Sequence, residues 1–560
     1  MKRFLTIRFT STLTVALLVV LLAFITHISY INNGFVWLDH GDIEQMRVIT
    51  PLNSWQDIFF QRYGETGYYR PTFTLLHSLN FAIFGLLPAG FHLTNVLLHT
   101  AVSFLAVLFI KRFLSLSGLA LFVSGAIVAV HPLSWFTIGT ITSAQEILMV
   151  FFLLISLLTY DSLRLGTYSK RWLLWGLWIL SSMACFWSKE TAVILLPGSL
   201  LVIEITQKPN KLSKSLRLLW FGVAAMLVFY FLLRTIAVPE LWKTSGSDFS
   251  FSEALGTRFA SITRTFRVIL DPSLPSFYDT TQVVSATHPS SLMGVAIILG
   301  IVYLIFLLGT KAKLSRALLL SLLFLSPFFN IVPLPRFWFP NYAYALIIPY
   351  AAVVGCILEF LLKKKEVWYR LSLIVIAPLI FYMVLVTFQA GFRFKNDETL
   401  FLAEVESEPA YREGHFYLGT YYWQKNILNK AKDHLDKSLQ DSQNKISFVD
   451  RPAALINLAG VYSAQESTSS AKALLFKVLE NTTGTNKMLA SYNLAVIYYQ
   501  EKNYQEAERL LAKNLLQAGR PEPWLLYIKT LLLLNRPEDA QAIAAQAEEK
   551  FGPKIFALPY

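Results

Sequence analysis

Three carboxylates lie close together in the segment Gly34 to Glu44, which reads GFVWLDHGDIE. Asp39, Asp42 and Glu44 come directly after a long apolar run, so we expect them at the edge of a bilayer. A carboxyl group that is partly desolvated there could have a raised pKa and accept a proton. The alternative interpretation is a solvated loop acid or the N-cap of a helix.

The elements that must position these acids are membrane spans. Of the 560 residues, 54% are hydrophobic and 15% are charged, against about 25% charged in soluble domains. Apolar runs near the ~20 residues that cross a bilayer recur as far as Gln389, after which the sequence becomes polar. We predict about eleven spans, at residues 11–31, 91–110, 119–130, 141–160, 172–187, 191–204, 218–236, 292–308, 317–333, 342–362 and 371–389.

Basic residues set the predicted orientation of these spans. They gather in every second connector, at Lys2, Arg3, Arg8, Lys111, Arg112, Arg164, Lys170, Arg171, Lys208, Lys211, Lys214, Arg217, Lys311, Lys313, Arg316, Lys363, Lys364, Lys365 and Arg370. The positive-inside rule makes these connectors cytoplasmic. The net charge of +13 therefore reflects topology, and it does not indicate nucleic-acid binding. With an odd span count the N-terminus is cytoplasmic and the C-terminal region extracytoplasmic, which suits a bacterial inner membrane.

The opposite connectors carry an unusual set of polar side chains. Ionisable residues at a bilayer edge cost free energy and mark functional sites. Beyond the first acids, the candidates on this predicted outer side are Arg70, His131, Glu146, Lys189, Glu190 and Arg336. His92, Asn95 and His99 share one helical face. They fit interhelical hydrogen bonds better than a metal site. Cys185 and Cys356 lie inside apolar runs, so we predict packing roles and no disulfide framework.

The polar C-terminal region contains an internal repeat. A small residue, an aromatic and an alanine recur at fixed spacing, as Gly419, Tyr422 and Ala431, then Ala459, Tyr462 and Ala471, then Ala495, Tyr498 and Ala507. This spacing is typical of tetratricopeptide (TPR) repeats. We predict an α-solenoid at residues 411–560 whose fourth, degenerate unit ends near Ala540. A linker at 391–410 would join it to a membrane domain at 1–390. Such solenoids bind peptides or neighbouring subunits.

Several segments, taken in order, resemble the transmembrane-and-TPR O-mannosyltransferase family of C-type (GT-C) glycosyltransferases. They are GYYRPTF around Arg70, GFHLTNVLLH from Gly90, His131 with Pro132, AQEIL around Glu146, WSKE from Trp187, LLR ending at Arg234, DPSLPSFYD ending at Asp279, and KNDETLF before Leu402. The resemblance covers nearly the whole chain. Two departures stand out. Relatives often show two adjacent acids where this chain has Leu38–Asp39, and Gly-Arg where this chain has Ala144–Gln145.

The resemblance implies an all-α, GT-C-like membrane bundle that uses a polyprenyl-phosphate-linked sugar donor. It makes Asp39 the base, with Asp42 as the fallback, for a protein or glycan acceptor. Arg70, Lys189, Arg234 and Arg336 would hold the donor phosphate, and Glu146 and Glu190 would position these cations or the sugar. Tyr69 is a candidate for stacking on sugar, with Trp37 and Tyr68, and His131 lines the same side. The resemblance implies no resident cofactor, although some C-type relatives use a divalent metal.

Two other functions stay open on the sequence. A non-catalytic membrane scaffold would use the repeats to recruit a protein partner. A transporter would place charges or broken helices near the midplane, often with symmetry between two halves. The polar residues of this chain lie mainly at one face, and no such symmetry is visible in the sequence.

Overall fold

The computed structural model describes residues 11–64, 67–165, 171–207, 214–239, 249–277, 283–332, 334, 336–363, 366–440, 448–515 and 519–552. Some residues singled out from the sequence lie outside these ranges: Lys2, Arg3, Arg8, Lys170, Lys208, Lys211, Asp279, Lys364 and Lys365. The chain divides into two compact units, Met1–Leu400 and a second formed by Phe401–Gln443 and Ser447–Tyr560. The described residues contain helices and turns but no strand, which confirms the all-α prediction.

The first unit is built from the following helices: α1 Thr12–His27, α2 Trp55–Phe60, α3 Pro71–Phe84, α4 Pro88–Leu114, α5 Gly118–Val130, α6 Trp135–Gly139, α7 Ala144–Leu165, α8 Arg171–Phe186, α9 Ala192–Thr206, α10 Lys214–Ala237, α11 Phe251–Leu270, α12 Pro289–Leu308, α13 Lys313–Phe324, α14 Ile347–Leu362 and α15 Glu366–Gly391. Helix α16, Asp397–Ser407, leads from the first unit into the second.

The protein is an integral membrane protein. Among the described residues, seven helical segments are long and apolar enough to cross a membrane: Thr12–Tyr30, Pro88–Leu114, Gly118–Gly139, Ile141–Leu165, Arg217–Ala237, Pro289–Leu308 and Ile374–Lys395. Three more apolar helices are shorter, namely α8, α9 and α14. The predicted count of about eleven is therefore higher than the seven full-length candidates. The clearest difference is at residues 317–333, because helix α13 stops at Phe324 and Ser326–Phe329 forms a tighter turn containing Pro327.

Helix α4 lies at the centre of the first unit, packed against α1, α5 and α7. Helix α5 also packs on α14, α7 on α8, and α11 on α12. Local sequence starts and stops these helices. Ser11 caps α1 by accepting a hydrogen bond from the Thr14 amide (3.0 Å), and Ser250 with Glu253 forms a capping box on α11. Proline opens α3, α4 and α12, where its missing N–H costs nothing.

Two ends of the first unit can be told apart by their charges. At one end, Asp161 accepts hydrogen bonds from Arg112 in the last turn of α4 and Arg164 in the last turn of α7. We call this the Arg112 end. Helix α7 begins at the opposite end, where the amides of Ile141 and Thr142, just before it, contact Asp39. We call this the Asp39 end. The basic connectors and the candidate acids thus lie at opposite ends of the same parallel helices.

The second unit is a stack of helix hairpins: α17 Arg412–Gln424, α18 Leu428–Leu439, α19 Arg451–Ala464, α20 Thr468–Asn481, α21 Gly484–Gln500, α22 Tyr504–Asn514, α23 Pro521–Leu533 and α24 Pro537–Phe551. Each helix packs on its hairpin partner and on the next hairpin. The small residues of the repeat are buried, and a Cβ on Gly419 would meet Leu435 at 2.7 Å. The predicted TPR solenoid is confirmed.

The fourth repeat is longer than predicted. Ala540 is the fourth residue of α24, as Ala431, Ala471 and Ala507 are the fourth residues of α18, α20 and α22. It therefore occupies the ordinary alanine position of the repeat, and the unit continues to Phe551. The prediction that this unit ends near Ala540 was wrong because the alanine marks the start of the second helix.

The close crossing of α5 and α14 predicts that the stability of the first unit depends strongly on Gly355. A Cβ on Gly355 would overlap Ser124 Oγ and approach Leu116 to 2.7 Å, whereas a Cβ on Gly300 of α12 would meet nothing within 4 Å. We expect Gly355→Val to cost about 1–3 kcal/mol through overpacking, and Gly300→Val to cost much less. Denaturation of the two purified variants in the same detergent measures this. Equal losses would contradict the close approach of these helices.

Candidate functional site

Asp39 lies in the loop between α1 and α2 and is completely buried. Its Oδ1 accepts a hydrogen bond from the Thr142 amide (2.9 Å) and its Oδ2 one from the Ile141 amide (3.3 Å). Burial raises the pKa of Asp39 to about 7, although the two amides oppose this shift. No charged side chain is among the causes of the shift. The carboxyl group can therefore take up or release a proton near neutral pH.

The backbone before Asp39 turns sharply at Trp37. This residue has a left-handed φ of 54°, which is unusual for a side chain of its size. Its amide donates to Asp397 Oδ1 (2.8 Å), and its ring stacks on Phe339 with 5.5 Å between centroids. Such strain persists only where the surroundings hold it in place. Trp37 is 7% exposed, so its ring forms an aromatic wall beside Asp39 and has little surface left for stacking on a sugar.

His40, next to Asp39, bridges two carboxylates. Its Nδ1 lies 2.6 Å from Glu44 Oε2 and its Nε2 lies 3.2 Å from Asp397 Oδ2. Partial burial by itself lowers the pKa of His40, but Asp397 and Glu44 together raise it to about 9. His40 is therefore positively charged at neutral pH, and Glu44 is occupied by this contact.

Asp42 has a different environment from Asp39. Its Oδ1 accepts a hydrogen bond from Arg47 Nε (2.9 Å) and its Oδ2 accepts one from the Tyr63 hydroxyl (3.0 Å). Both oxygens of Asp42 are thus bound by side chains, one of them a cation, as in a structural ion pair. Of the two acids named from the sequence, the geometry favours Asp39 as the proton acceptor.

Four candidate residues come together as two ion pairs, which we call the buried charge cluster: Arg70, Glu146, Lys189 and Glu190. Arg70 Nε lies 3.0 Å from Glu190 Oε1, and Arg70 Nη2 lies 2.8 Å from Glu190 Oε2. Lys189 Nζ contacts Glu146 Oε1. All four side chains are nearly inaccessible to solvent. The cluster contains two cations and two anions, so each buried charge has an opposite partner.

Aromatic and amide groups surround the cations of the buried charge cluster. The Arg70 guanidinium lies 4.2 Å from the centroid of the Tyr68 ring, and its Nη1 donates to Gln145 Oε1. Lys189 Nζ lies 4.7 Å from the centroid of Tyr342. Burial, and to a smaller extent the nearby Arg70, hold the pKa of Lys189 well below its usual value, although Glu190 opposes this shift. Gln145 stands where the resemblance expects an arginine, and its side-chain oxygen contacts the Arg70 guanidinium.

The helix α7 joins Asp39 to the buried charge cluster. Asp39 contacts the amide of Thr142, two residues before α7 begins, and Glu146 is the third residue of that helix. The sequence places Lys189 and Glu190 between α8 and α9, and Arg70 directly before α3. Four separate segments of the chain therefore meet at the Asp39 end.

The remaining candidates from the sequence have other contacts. The Tyr69 hydroxyl donates to Phe59 O (2.8 Å) in the buried interior. His131 Nδ1 accepts from the Leu133 amide (3.1 Å), so its Nε2 carries the hydrogen and donates to Ile269 O (3.0 Å). Arg234 is buried in the last turn of α10. Arg336 lies 4.9 Å from the centroid of Phe339, on the aromatic wall beside Trp37.

The polar face of α4 makes hydrogen bonds to other segments. His92 Nε2 lies 3.0 Å from Gly34 O, Asn95 Nδ2 donates to Ile138 O (3.2 Å), and His99 Nε2 lies 3.1 Å from Ala129 O. The predicted role of these residues in interhelical bonding fits these contacts. Across the ranges that the structure describes, no three His, Cys, Asp or Glu side chains converge as metal ligands would.

Sequence reasoning missed Asp397, Arg47 and Tyr342. Asp397 belongs to KNDETLF, which the resemblance includes, but no spacing connects it to Trp37 and His40, some 360 residues earlier. Arg47 lies five residues after Asp42, which is not a helical contact spacing. Tyr342 lies within a predicted span and gave no signal of its contact with Lys189.

No family model matches the chain. Over 183 residues it is 31% identical to "Protein O-mannosyl-transferase TMTC2" of Homo sapiens and 30% identical to "Protein O-mannosyl-transferase Tmtc1" of Drosophila melanogaster. The predicted resemblance is confirmed. These matches cover 30% and 31% of this chain, and they span about a fifth (21%) of the length of each relative.

The chain also has a more distant likeness to a protein of known structure. ArnT from Cupriavidus metallidurans, whose solved structures include one bound to undecaprenyl phosphate, covers 84% of this chain and 81% of its own. The sequence identity is 13% and the TM-score is 0.41.

Because Arg70 and Glu190 form a buried ion pair, we expect the removal of one partner to cause a large loss of stability. We expect Glu190→Gln to destabilise the first unit by about 3–5 kcal/mol, because it leaves the buried guanidinium uncompensated. Lys363→Gln is the matched control, since Lys363 is exposed and Glu359 keeps its 2.8 Å contact with Lys313. That change should cost at most about 0.5 kcal/mol. Denaturant titrations in one detergent compare the two, and a Glu190→Gln variant as stable as the control would refute the buried pair.

Proposed function

We propose that this chain is a membrane glycosyltransferase. It transfers a sugar from a polyprenyl-phosphate donor to a hydroxyl group of a protein or glycan acceptor on the extracytoplasmic face. The observation that carries the proposal is Asp39, a buried carboxyl group with a pKa of about 7 that is hydrogen-bonded to Thr142, four residues before Glu146 of the buried charge cluster. The names of the similar proteins, protein O-mannosyl-transferases, support the reaction class.

The proposed reaction needs one proton acceptor. Asp39 takes the proton of the acceptor hydroxyl while the oxygen of that hydroxyl forms a bond to the anomeric carbon of the sugar. The bond between that carbon and the phosphate oxygen breaks, and the lipid phosphate leaves with the electron pair. A pKa near 7 suits this role, because about half of the carboxyl groups are ionised at neutral pH and the carboxylate still binds a proton well.

The departing phosphate needs donors that are already in place. Arg70 and Lys189 remain the first candidates, with Arg234 and Arg336 beside them. The contacts of Glu190 and Glu146 agree with the positioning role that the resemblance implies, because they fix the direction of each cation. Fixed donors stabilise developing charge without reorganising during the reaction. No metal or other cofactor enters this proposal.

The two ends of the first unit support the proposed extracytoplasmic placement of the site. Arg112 and Arg164 mark the Arg112 end, which the positive-inside rule assigns to the cytoplasm. The Asp39 end is then extracytoplasmic, and in a bacterial inner membrane it faces the periplasm. We assign the TPR unit to the same side, where it would bind the acceptor or a protein partner.

Replacement of Asp39 tests the proposal directly. We expect Asp39→Asn to lower turnover about 100-fold or more at unchanged expression, since general-base catalysis contributes about 10²–10⁴-fold. The assay incubates the purified chain with a panel of polyprenyl-phosphate sugars and measures release of the lipid phosphate. Asp57→Asn is the matched control, because Asp57 lies in the short helix α2 and its side chain accepts a solvent-exposed hydrogen bond from Gln61.

The outcomes separate the proposed enzyme from a scaffold. A donor that turns over equally well with Asp39→Asn and Asp57→Asn would remove Asp39 from the reaction. Partner recruitment that survives Asp39→Asn, together with no turnover of any donor, would favour the non-catalytic scaffold.

The pH dependence gives a second test. A base works in its ionised form, whose fraction rises with pH, so kcat/KM should increase as the pH rises through about 7. At pH 6 only about a tenth of Asp39 would be ionised. Rates measured from pH 5 to pH 8.5 test this. A flat profile over that range would contradict the assignment of Asp39.

A further inference from the structure

The short turn before α7 contains a buried hydroxyl group that its own turn does not satisfy. Residues 140–143 join α6 to α7, and Ile141–Ser143 forms a tight turn there. Thr142 is 5% exposed, and among the residues that the structure describes its Oγ1 has no hydrogen-bond partner. A buried hydroxyl group without a partner costs free energy, so its presence needs an explanation.

The usual partner of a buried threonine is already occupied at this position. A threonine commonly donates to the carbonyl four residues earlier, as Thr140 Oγ1 does to Phe136 O (2.8 Å). For Thr142 that carbonyl belongs to Ile138, and it accepts a hydrogen bond from Asn95 Nδ2 (3.2 Å). The backbone of Thr140 is extended (φ −92°, ψ 129°), which takes Thr142 out of line with α6. Helix packing therefore does not account for the Thr142 hydroxyl.

The neighbour of Thr142 that can use a hydroxyl group is Asp39. The Thr142 amide donates to Asp39 Oδ1 (2.9 Å), which brings the Thr142 side chain close to the carboxyl group. Burial raises the pKa of Asp39, and the amides of Thr142 and Ile141, followed by the Thr142 side chain, lower it. The Thr142 hydroxyl is thus near enough to act on the carboxyl group, and rotation about one bond can direct it there.

Charged groups on the surrounding elements do not take this place. The described ionisable residues on the elements around Asp39 are His40, Glu44, Asp397, Glu146 and Arg336. None of them is among the main causes of the shift in the pKa of Asp39. The groups that act on the carboxyl group are backbone amides and the Thr142 side chain. An amide N–H can only donate, whereas a hydroxyl group can both donate and accept.

We propose that the Thr142 hydroxyl is a positioning partner for the proton of Asp39. While Asp39 is ionised, the hydroxyl donates a hydrogen bond to the carboxylate. After Asp39 has taken the proton of the acceptor, the hydroxyl turns and accepts a hydrogen bond from the carboxylic acid. The proton stays bonded to Asp39, and no covalent bond of Thr142 changes. This inference rests on the proposed role of Asp39 as the base.

Removal of the hydroxyl should change the pH profile as well as the rate. Thr142→Val keeps the branched shape and removes a donor to the carboxylate, so the pKa of Asp39 should rise by about one pH unit. At pH 7 the ionised fraction would fall from about a half to about a tenth, which lowers kcat/KM for release of the lipid phosphate about fivefold. Above about pH 9 the rate should return toward that of wild type. A loss of packing alone would lower the rate at every pH.

Infrared titration follows the same carboxyl group without any turnover. The C=O stretching band of a protonated carboxyl group that disappears in Asp39→Asn belongs to Asp39, and its intensity against pH gives the midpoint in each detergent-purified variant. We expect a higher midpoint in Thr142→Val and the wild-type midpoint in Thr142→Ser, which keeps the hydroxyl. Thr142→Ala gives the same test if the valine variant does not fold.

Thr100→Val is the matched control for these variants. Thr100 is buried, and its hydroxyl donates to Val96 O within α4 (2.8 Å), so this change should leave the midpoint as it is. A wild-type midpoint in Thr142→Val and Thr142→Ala, or an equal shift in Thr100→Val, would overturn the role of Thr142 and leave Asp39 as the base. Full turnover by Asp39→Asn would instead refute the base, and with it the role of Thr142, even if the infrared midpoint shifted.

Discussion

Every charge buried at the Asp39 end must be compensated, and this requirement organises the contacts there. Arg70 faces Glu190 and Lys189 faces Glu146, with two of these residues adjacent in the chain. Because Lys189 and Glu190 follow each other, neither pair can shift without disturbing the other. The short link between α8 and α9 is thereby tied to the start of α7 and to the residue before α3. Loss of a single partner would leave a charge that neither water nor lipid could solvate.

The same requirement is met differently at Asp39, which has backbone amides in place of a cation. The hydrogen bonds from two N–H groups lower the pKa of Asp39, but complete burial raises it by more. Asp42, three residues away, is paired with Arg47 and Tyr63 and has the partners of a structural acid. The difference between the two acids therefore comes from their partners and not from their position in the loop. His40, the next residue, bridges Glu44 and Asp397, and these contacts hold the loop in place after Asp39.

Much of this architecture could be predicted from the sequence. Bilayer thickness imposes a length on apolar runs, so the spans around α1, α4, α7 and α12 were located correctly, and the repeat spacing identified the solenoid. The end of α13 was missed because hydropathy does not register a proline that stops a helix inside an apolar run. The sequence was enough to identify four ionisable candidates at one edge of the bilayer, namely Arg70, Glu146, Lys189 and Glu190. Their pairing could not be predicted, because it depends on which segments pack together across 120 residues of chain.

Because the buried charge cluster pairs each cation with an anion, it can stabilise the departing phosphate of the proposed reaction in only a limited way. A cluster with two cations and two anions has no net positive charge to offer a departing phosphate. What it offers is orientation, since Arg70 is fixed by Glu190, Gln145 and the Tyr68 ring before any substrate arrives. Preorganised donors in a site shielded from water stabilise charge more than mobile ones do, because no free energy is spent in turning them. On this view the two glutamates serve the reaction by holding the cations still.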